Sequence, residues 1–364
     1  MVGCASVRAT PPLAVAPVDT VWYVSTRARD NGADTDRLAD SAEVGLAIMR
    51  PRNADPRTGR IDPAVQDSVV LSWAEFIGHL QRRLTASAAG NAGVPWLVHG
   101  YGTSLRECWQ GASNAQVRAR SSTPWVAFCW PSNGTGVSLP GREGLLSRSY
   151  RLDSARAESS RPAFATATRA LLDVVGGDRL VLVAHSLGAL LVAESLAADT
   201  ALRTALRAQR LRAIAFVAPD VDRARFGDVL LPAVATLTRR TVVYVSSSDR
   251  ALSFARRVTG SDRAGLSNST PAPWPGTETV DITHATTSAG WFHRTLGTRH
   301  SLRRASGLIF DIAQVVAAGH AADCRAVVGT GVRDDTGSWR LGGAPLPDPD
   351  ATIHCSPFVP RDPP

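Results

Sequence analysis

A chain of 364 residues, 44% of them hydrophobic, can bury one large core or two ordinary ones, and no apolar run in it reaches membrane-spanning length. Its net charge of +8 rests on 40 basic residues, all arginine, placed singly or in pairs such as Arg82-Arg83, Arg239-Arg240 and Arg303-Arg304. Charge scattered in this way, without interleaved aromatics on one element, argues against nucleic acid as a partner and against an integral membrane protein, leaving a soluble or surface-tethered chain with a solvated arginine surface.

The chain opens Met1-Val2-Gly3-Cys4-Ala5-Ser6 and continues Pro-rich through Pro17. A small residue before cysteine, then small polar residues, resembles the processing site of a bacterial lipoprotein, although the apolar segment that should precede such a cysteine is missing from the sequence. On this reading residues 1–19 are a leader, Cys4 attaches the chain peripherally to a membrane, and the protein resides in the cell envelope or is secreted. If Met1 is the true start, it is cytoplasmic.

Thr20 to Ser25, rich in Val, Trp and Tyr, reads as the first strand, and Arg27 to Arg60 as a polar stretch with little regular structure. Val69 to Trp73 leads into an amphipathic helix over Glu75 to Leu84, with Phe76, Ile77, Leu80 and Leu84 at helical spacing. Pro95 to His99 is a buried strand ending at Gly100, followed by a helix between Ser104 and Arg120 and a strand from Trp125 to Trp130. Pro162 stands near the start of a helix marked by Phe164, Thr168, Leu171 and Val175, which Gly176-Gly177 ends. Leu180 to Ala184 is a strand and Leu187 to Ala198 an apolar helix. Further strands follow at Ala213 to Val217, Val242 to Val245 and Thr279 to Ile282, before a terminal helix carrying Leu302, Ile309, Phe310, Ile312 and Val316.

Strands alternating with helices predict a mostly parallel sheet covered on both faces, so the fold class is α/β, with one domain over residues 20–320. Residues 321–364 form an irregular tail that either adds a hairpin around Asp334-Asp335-Thr336-Gly337 or wraps the domain loosely. With Cys4 set aside, Cys108, Cys129, Cys324 and Cys355 allow three pairings, which sequence does not decide. Cys324 with Cys355 would close the tail and leave Cys108 with Cys129. Without a CxxC pair or a Cys/His cluster, no metal is expected, and no cofactor.

The sharpest chemical signal is Leu180-Val181-Leu182-Val183-Ala184-His185-Ser186-Leu187-Gly188. A buried strand enters a small-x-Ser-x-Gly turn and a helix begins at once, which is how a nucleophilic serine is exposed at the carboxyl end of a sheet. The alternative is a serine that merely caps a helix. Leu97-Val98-His99-Gly100-Tyr101-Gly102, one helix–strand–helix unit earlier, has the form of an oxyanion loop, with the N–H groups of Tyr101 and Leu187 as donors. In the order nucleophile, acid, base, Asp249 after the Val242–Val245 strand is the first choice of acid, with Asp220 and Asp222 in reserve. For the base, His300 ahead of the terminal helix stands before its rival His293, while His284 follows its strand too closely.

These segments together resemble a bacterial α/β-hydrolase family long catalogued as a domain of unknown function, within the esterase/lipase superfamily. The matching stretches are Val98-His99-Gly100-Tyr101, Trp130-Pro131-Ser132, Ala184-His185-Ser186-Leu187-Gly188, Ala218-Pro219-Asp220-Val221-Asp222, Ser248-Asp249-Arg250-Ala251-Leu252 and His300-Ser301-Leu302. The resemblance implies the α/β-hydrolase fold and a triad of Ser186, Asp249 and His300. The chain departs from the family at Gly102, where asparagine is more usual. The function so implied is cleavage of a small-molecule acyl ester through an acyl-enzyme. Two alternatives remain open: acyl transfer to another acceptor by the same triad, or a non-catalytic envelope lipoprotein that keeps the fold. The oligomeric state is not legible.

Overall fold

The computed structural model describes residues 19–30, 33–50, 63–86, 92–119, 123–132, 143–267, 273–285, 306–342 and 355–360. Cys4, His293 and His300 therefore lie outside the described residues. A single sheet is ordered β10-β11-β9-β8-β7-β6-β4-β5-β1-β2-β3. Its centre is parallel: β1 (Asp19–Asp30), β5 (Val126–Cys129), β4 (Val94–Val98), β6 (Leu180–His185), β7 (Ala213–Val217), β8 (Thr241–Val245) and β9 (Glu278–Asp281). Among the described strands, antiparallel pairing joins β2 (Ala33–Arg50) to its neighbours β1 and β3 (Ala64–Leu71), and β10 (Gly331–Arg333) to β11 (Trp339–Leu341).

Both faces of the sheet are covered, which explains why the central strands read as continuous apolar runs. In β6, Leu180, Leu182 and Ala184 join one core with α1 (Trp73–Ala86), α3 (Glu143–Ser159), α4 (Arg161–Val175), α5 (Leu187–Ala198) and α6 (Thr200–Ala208). Val181 and Val183 point the other way, into a core built with α2 (Leu105–Ala119) and the helical segment Ser306–Ala317. This is the expected α/β-hydrolase architecture. None of the described helices is long and apolar enough to cross a membrane.

Two segments depart from expectation. Within the stretch read as irregular, residues 27–30 and 33–50 are not structureless, since they lie in β1 and in the 18-residue β2. The arm's outer half is held by polar cross-strand partners, with Arg29 paired to Asp34 at 3.4 Å and to Glu43 at 2.9 Å, so it lacks the apolar alternation that marks a strand in sequence. Helix α3 also has no apolar periodicity to announce it. Its buried positions include Tyr150, Asp153, Ala157 and Ser160 just past its end, two of the four without any apolar side chain.

The tail takes the hairpin alternative, with β11 added to the sheet edge parallel to β9 and β10 antiparallel beside it. Two disulfides, Cys108–Cys129 and Cys324–Cys355, staple α2 to the end of β5 and close the tail. An ionic cluster pins the tail from inside. The Arg325 guanidinium has no solvent exposure and donates to Asp311 from Nε at 2.9 Å and from Nη2 at 3.0 Å, and to Glu278 from Nη1 at 2.7 Å. Arg240 makes a second pair of bonds to Glu278 at 2.7 and 2.8 Å, and Tyr244 donates to Asp311 at 2.6 Å. Burial alone would raise Glu278, but the two arginines outweigh it and hold its carboxyl below the ordinary range.

Removing one partner from such a cluster strands buried charge, which typically costs about 3–5 kcal/mol. Arg325→Ala is therefore expected to lower the free energy of unfolding by about that amount, measured by urea titration followed by tryptophan fluorescence.

Candidate active site

The turn between β6 and α5 holds Ser186 at φ 55° and ψ −124°, a left-handed φ that side chains other than glycine rarely adopt. The strain is held by the backbone on both sides. Ser186 N–H donates to the Val217 carbonyl at 3.0 Å, and its own carbonyl accepts from Ala189 at 2.9 Å and Asp220 at 3.2 Å. Such a conformation persists only where its surroundings over-determine it, and it marks functional turns. Ser186 stands at the N-cap of α5, but its side chain makes no capping bond.

Glycine is required twice for this geometry. A Cβ on Gly188 would lie 2.4 Å from the His99 carbonyl oxygen, so the first turn of α5 rides directly on the end of β4. A Cβ on Gly100 would lie 2.7 Å from the Ser186 Cβ, so the loop after β4 passes in contact with the serine. The structure thus brings the Tyr101 loop, Ser186 and Leu187 to one end of the sheet. Leu187 is the first residue of α5, and the N–H groups of a first turn have no partner within their helix. Gly102 has φ 66°, the region asparagine also tolerates, which gives a physical reason for either residue there.

His99 and Trp130 explain two of the motifs together. The imidazole stacks on the indole at 5.0 Å between centroids, Trp130 Nε1–H donates to the His99 carbonyl at 2.8 Å, and His99 Nδ1–H donates to the Gly100 carbonyl at 2.9 Å. Burial, helped by the charge of Arg27, pushes His99 down to about 3, so its ring is neutral and serves as a spacer beneath the loop.

Asp249 is buried after β8 and accepts from Leu252 N–H at 2.9 Å, capping the helix Arg250–Thr259. Asp220 is occupied differently. Arg263 donates to it at 2.7 Å, and the Tyr150 hydroxyl is also hydrogen-bonded to it. Burial and the Asp220 charge together push the Tyr150 hydroxyl well up. Asp222 caps the turn at Arg223–Arg225, accepting from Arg225 N–H at 2.8 Å, and that bond lowers its carboxyl. All three carboxylates thus have partners: Asp220 an internal ion pair, Asp222 a short turn and Asp249 a helix cap. His284 is exposed, on the turn after β9. His300 and His293 lie outside the described residues.

Helix α3 is the part of the site that sequence reasoning missed. Its Tyr150 reaches Asp220 after β7, its Ser149 accepts from the Tyr101 hydroxyl at 3.1 Å, and its Asp153 accepts from the Gly102 N–H at 3.1 Å. The helix therefore spans the loops on either side of the serine. Tyr150 and Asp153, three residues apart inside a polar helix, were the available signal. Elsewhere, His320, Cys324 and Cys355 bring their ligand atoms within 4.8 Å of one another. The disulfide between the two cysteines takes up both thiolates a metal would need.

A family profile described as an alpha/beta hydrolase of unknown function (DUF900) matches residues 75–303. No curated protein matches the chain. Among solved structures, one from a study of two prolyl endopeptidases is 11% identical, with a TM-score of 0.29, covering 79% of this chain and 46% of its own. A post-proline cleaving enzyme from Rickettsia typhi is 10% identical, with a TM-score of 0.27, covering 78% of this chain and 42% of its own. The chain spans less than half the length of either.

Two outcomes are expected from this geometry. Gly188→Ala forces apart α5 and β4, and an overpacked contact of this kind costs about 1–3 kcal/mol, visible as a lower thermal midpoint. The pH effect of His99 has a defined sign. Its folded value lies below the ordinary 6.5, so its contribution to stability is complete above pH 6.5 and is lost as the pH falls toward about 3. His99→Asn should flatten that part of the stability–pH curve in urea titrations.

Proposed function

The chain belongs to an α/β-hydrolase family of unknown function, and from that membership we propose that it is a serine hydrolase that cleaves carboxylic esters of small molecules. The observation that carries the proposal is the left-handed φ of Ser186 between a buried parallel strand and an apolar helix, with glycines at the two points of closest approach.

In the proposed reaction the triad is Ser186, Asp249 and His300. His300 takes the Ser186 hydroxyl proton as Oγ attacks the ester carbonyl, and the N–H groups of Tyr101 and Leu187 donate to the oxyanion that forms. Asp249 orients the imidazole and stabilises its cationic form. As the tetrahedral intermediate collapses, the bond to the alcohol breaks and His300 protonates that leaving group. Water, deprotonated by the same imidazole, then attacks the acyl-enzyme and releases the acid. The engagement of Asp220 with Arg263, both buried, supports Asp249 as the acid. The two disulfides fit an oxidising compartment, which supports placement in the envelope or outside the cell.

Purified wild-type protein is expected to hydrolyse short p-nitrophenyl esters and to be labelled by a fluorophosphonate at Ser186, identified by peptide mass spectrometry. Ser186→Ala should lose labelling and at least about 10³-fold in turnover, and His300→Ala a comparable factor. Wild-type turnover in the Ser186→Ala protein would refute the proposal.

A further inference from the structure

A set of buried polar side chains surrounds the loop after β4 and takes no part in the steps above. Asp153 on α3 is fully buried, and its Oδ2 accepts from both the Gly102 N–H at 3.1 Å and the Ser132 hydroxyl at 2.5 Å. Ser132, fully buried after β5, accepts in turn from the Thr103 N–H at 3.2 Å. Two successive amides of the loop are therefore held, one by the carboxylate and the next by the hydroxyl it orients. From the β1 side, Arg27 donates to the carbonyls of Thr103 and Ser132, the latter at 2.8 Å. The register of β1 against β2 shifts on both sides of Arg27, and the side chain is buried there. Such irregularities re-aim a side chain near a site. Arg156 completes the cluster, donating to Asp153 Oδ1 at 3.3 Å and to Asp36 on β2 at 2.8 Å.

Burying a carboxylate is unfavourable unless its bonds are made, and those of Asp153 Oδ2 run to the loop's amide and to the hydroxyl that holds the next amide. The loop has an evident need of such partners. Gly100-Tyr101-Gly102 places a glycine on each side of Tyr101, so its backbone is intrinsically free to move, and an oxyanion donor is effective only when it is already in place. The Tyr101 N–H has no acceptor among the described residues, while the two amides that follow it are tied down.

We infer that Asp153 and Ser132 are positioning residues that fix the Tyr101 N–H for the oxyanion, acting through the amides of Gly102 and Thr103. The inference deepens the proposed function and rests on its assignment of Ser186 and Tyr101. It also gives a role to the Trp130-Pro131-Ser132 segment, which carries no reacting group.

The test compares Ser132→Ala, Asp153→Ala and Asp153→Asn with wild type. Each is measured for kcat and KM on p-nitrophenyl acetate, for the affinity of an aryl trifluoromethyl ketone, whose adduct carries the oxyanion, and for thermal midpoint. Displacement of a donor by a fraction of an ångström to one ångström loses up to about 100-fold in rate. Ser132→Ala and Asp153→Ala should therefore lose about 10- to 100-fold in kcat and in ketone affinity, with KM changed less than about two-fold. Asp153→Asn keeps an oxygen facing Gly102 and Ser132 while weakening the bond to Arg156, so it should recover most of the loss. Ser132→Ala removes a single oxygen and decides the matter if Asp153→Ala does not fold. Wild-type protein labelled at Ser186, with folded variants that keep wild-type kcat and ketone affinity, overturns this inference alone. Wild-type protein that is neither labelled at Ser186 nor active on esters overturns the serine-hydrolase reading and this inference with it.

Discussion

The whole arrangement depends on one strained backbone conformation, the left-handed φ at Ser186, and on what holds it. A residue with a side chain stays in that region only when the alternatives are blocked. Here β7 accepts the serine's N–H, the first turn of α5 and the Asp220 amide take its carbonyl, and β4 lies close enough to both Ser186 and Gly188 that neither Gly100 nor Gly188 could carry a Cβ. The elbow is clamped between two neighbouring strands of the same parallel sheet. That is why its position at the centre of the strand order matters as much as its own sequence.

Around this clamp the chain uses arginine in two distinct ways. Most arginines decorate the surface, where single ion pairs contribute little. A few are buried and bind carbonyls or carboxylates at the seams between elements. Arg325 and Arg240 lock the tail to the far side of the sheet, Arg263 occupies Asp220, and Arg27 fastens the loop beside the serine. The planar guanidinium presents several donors at once, which lets a single side chain tie together segments distant in sequence. The absence of lysine from the composition therefore coincides with seams that a compact ammonium group could not bridge in the same way.

Much of this was legible from residues alone. The central strands from Val94 to Val245 and the helices between them follow from apolar runs of strand length alternating with amphipathic stretches, because burial on both faces leaves no room for polar positions. The elbow was legible because close approach demands small residues at fixed offsets from Ser186. The β2 arm and α3 were not, for a shared reason. Both are stabilised by polar contacts to remote segments, so neither carries the apolar periodicity from which an element is read.

By itself, then, the sequence determined an α/β sheet with a serine at a strand–helix elbow, since those features are written in local spacing. Only the tertiary structure decided which partners hold Asp220, Asp222 and Asp249, which cysteines are joined, and which side chains bond the loop beside the serine. Asp220 and Asp249 look alike in one dimension, each standing after a buried strand and told apart only by strand order. They differ because Arg263 happens to fold against the first, an encounter between residues 43 positions apart that no local pattern encodes.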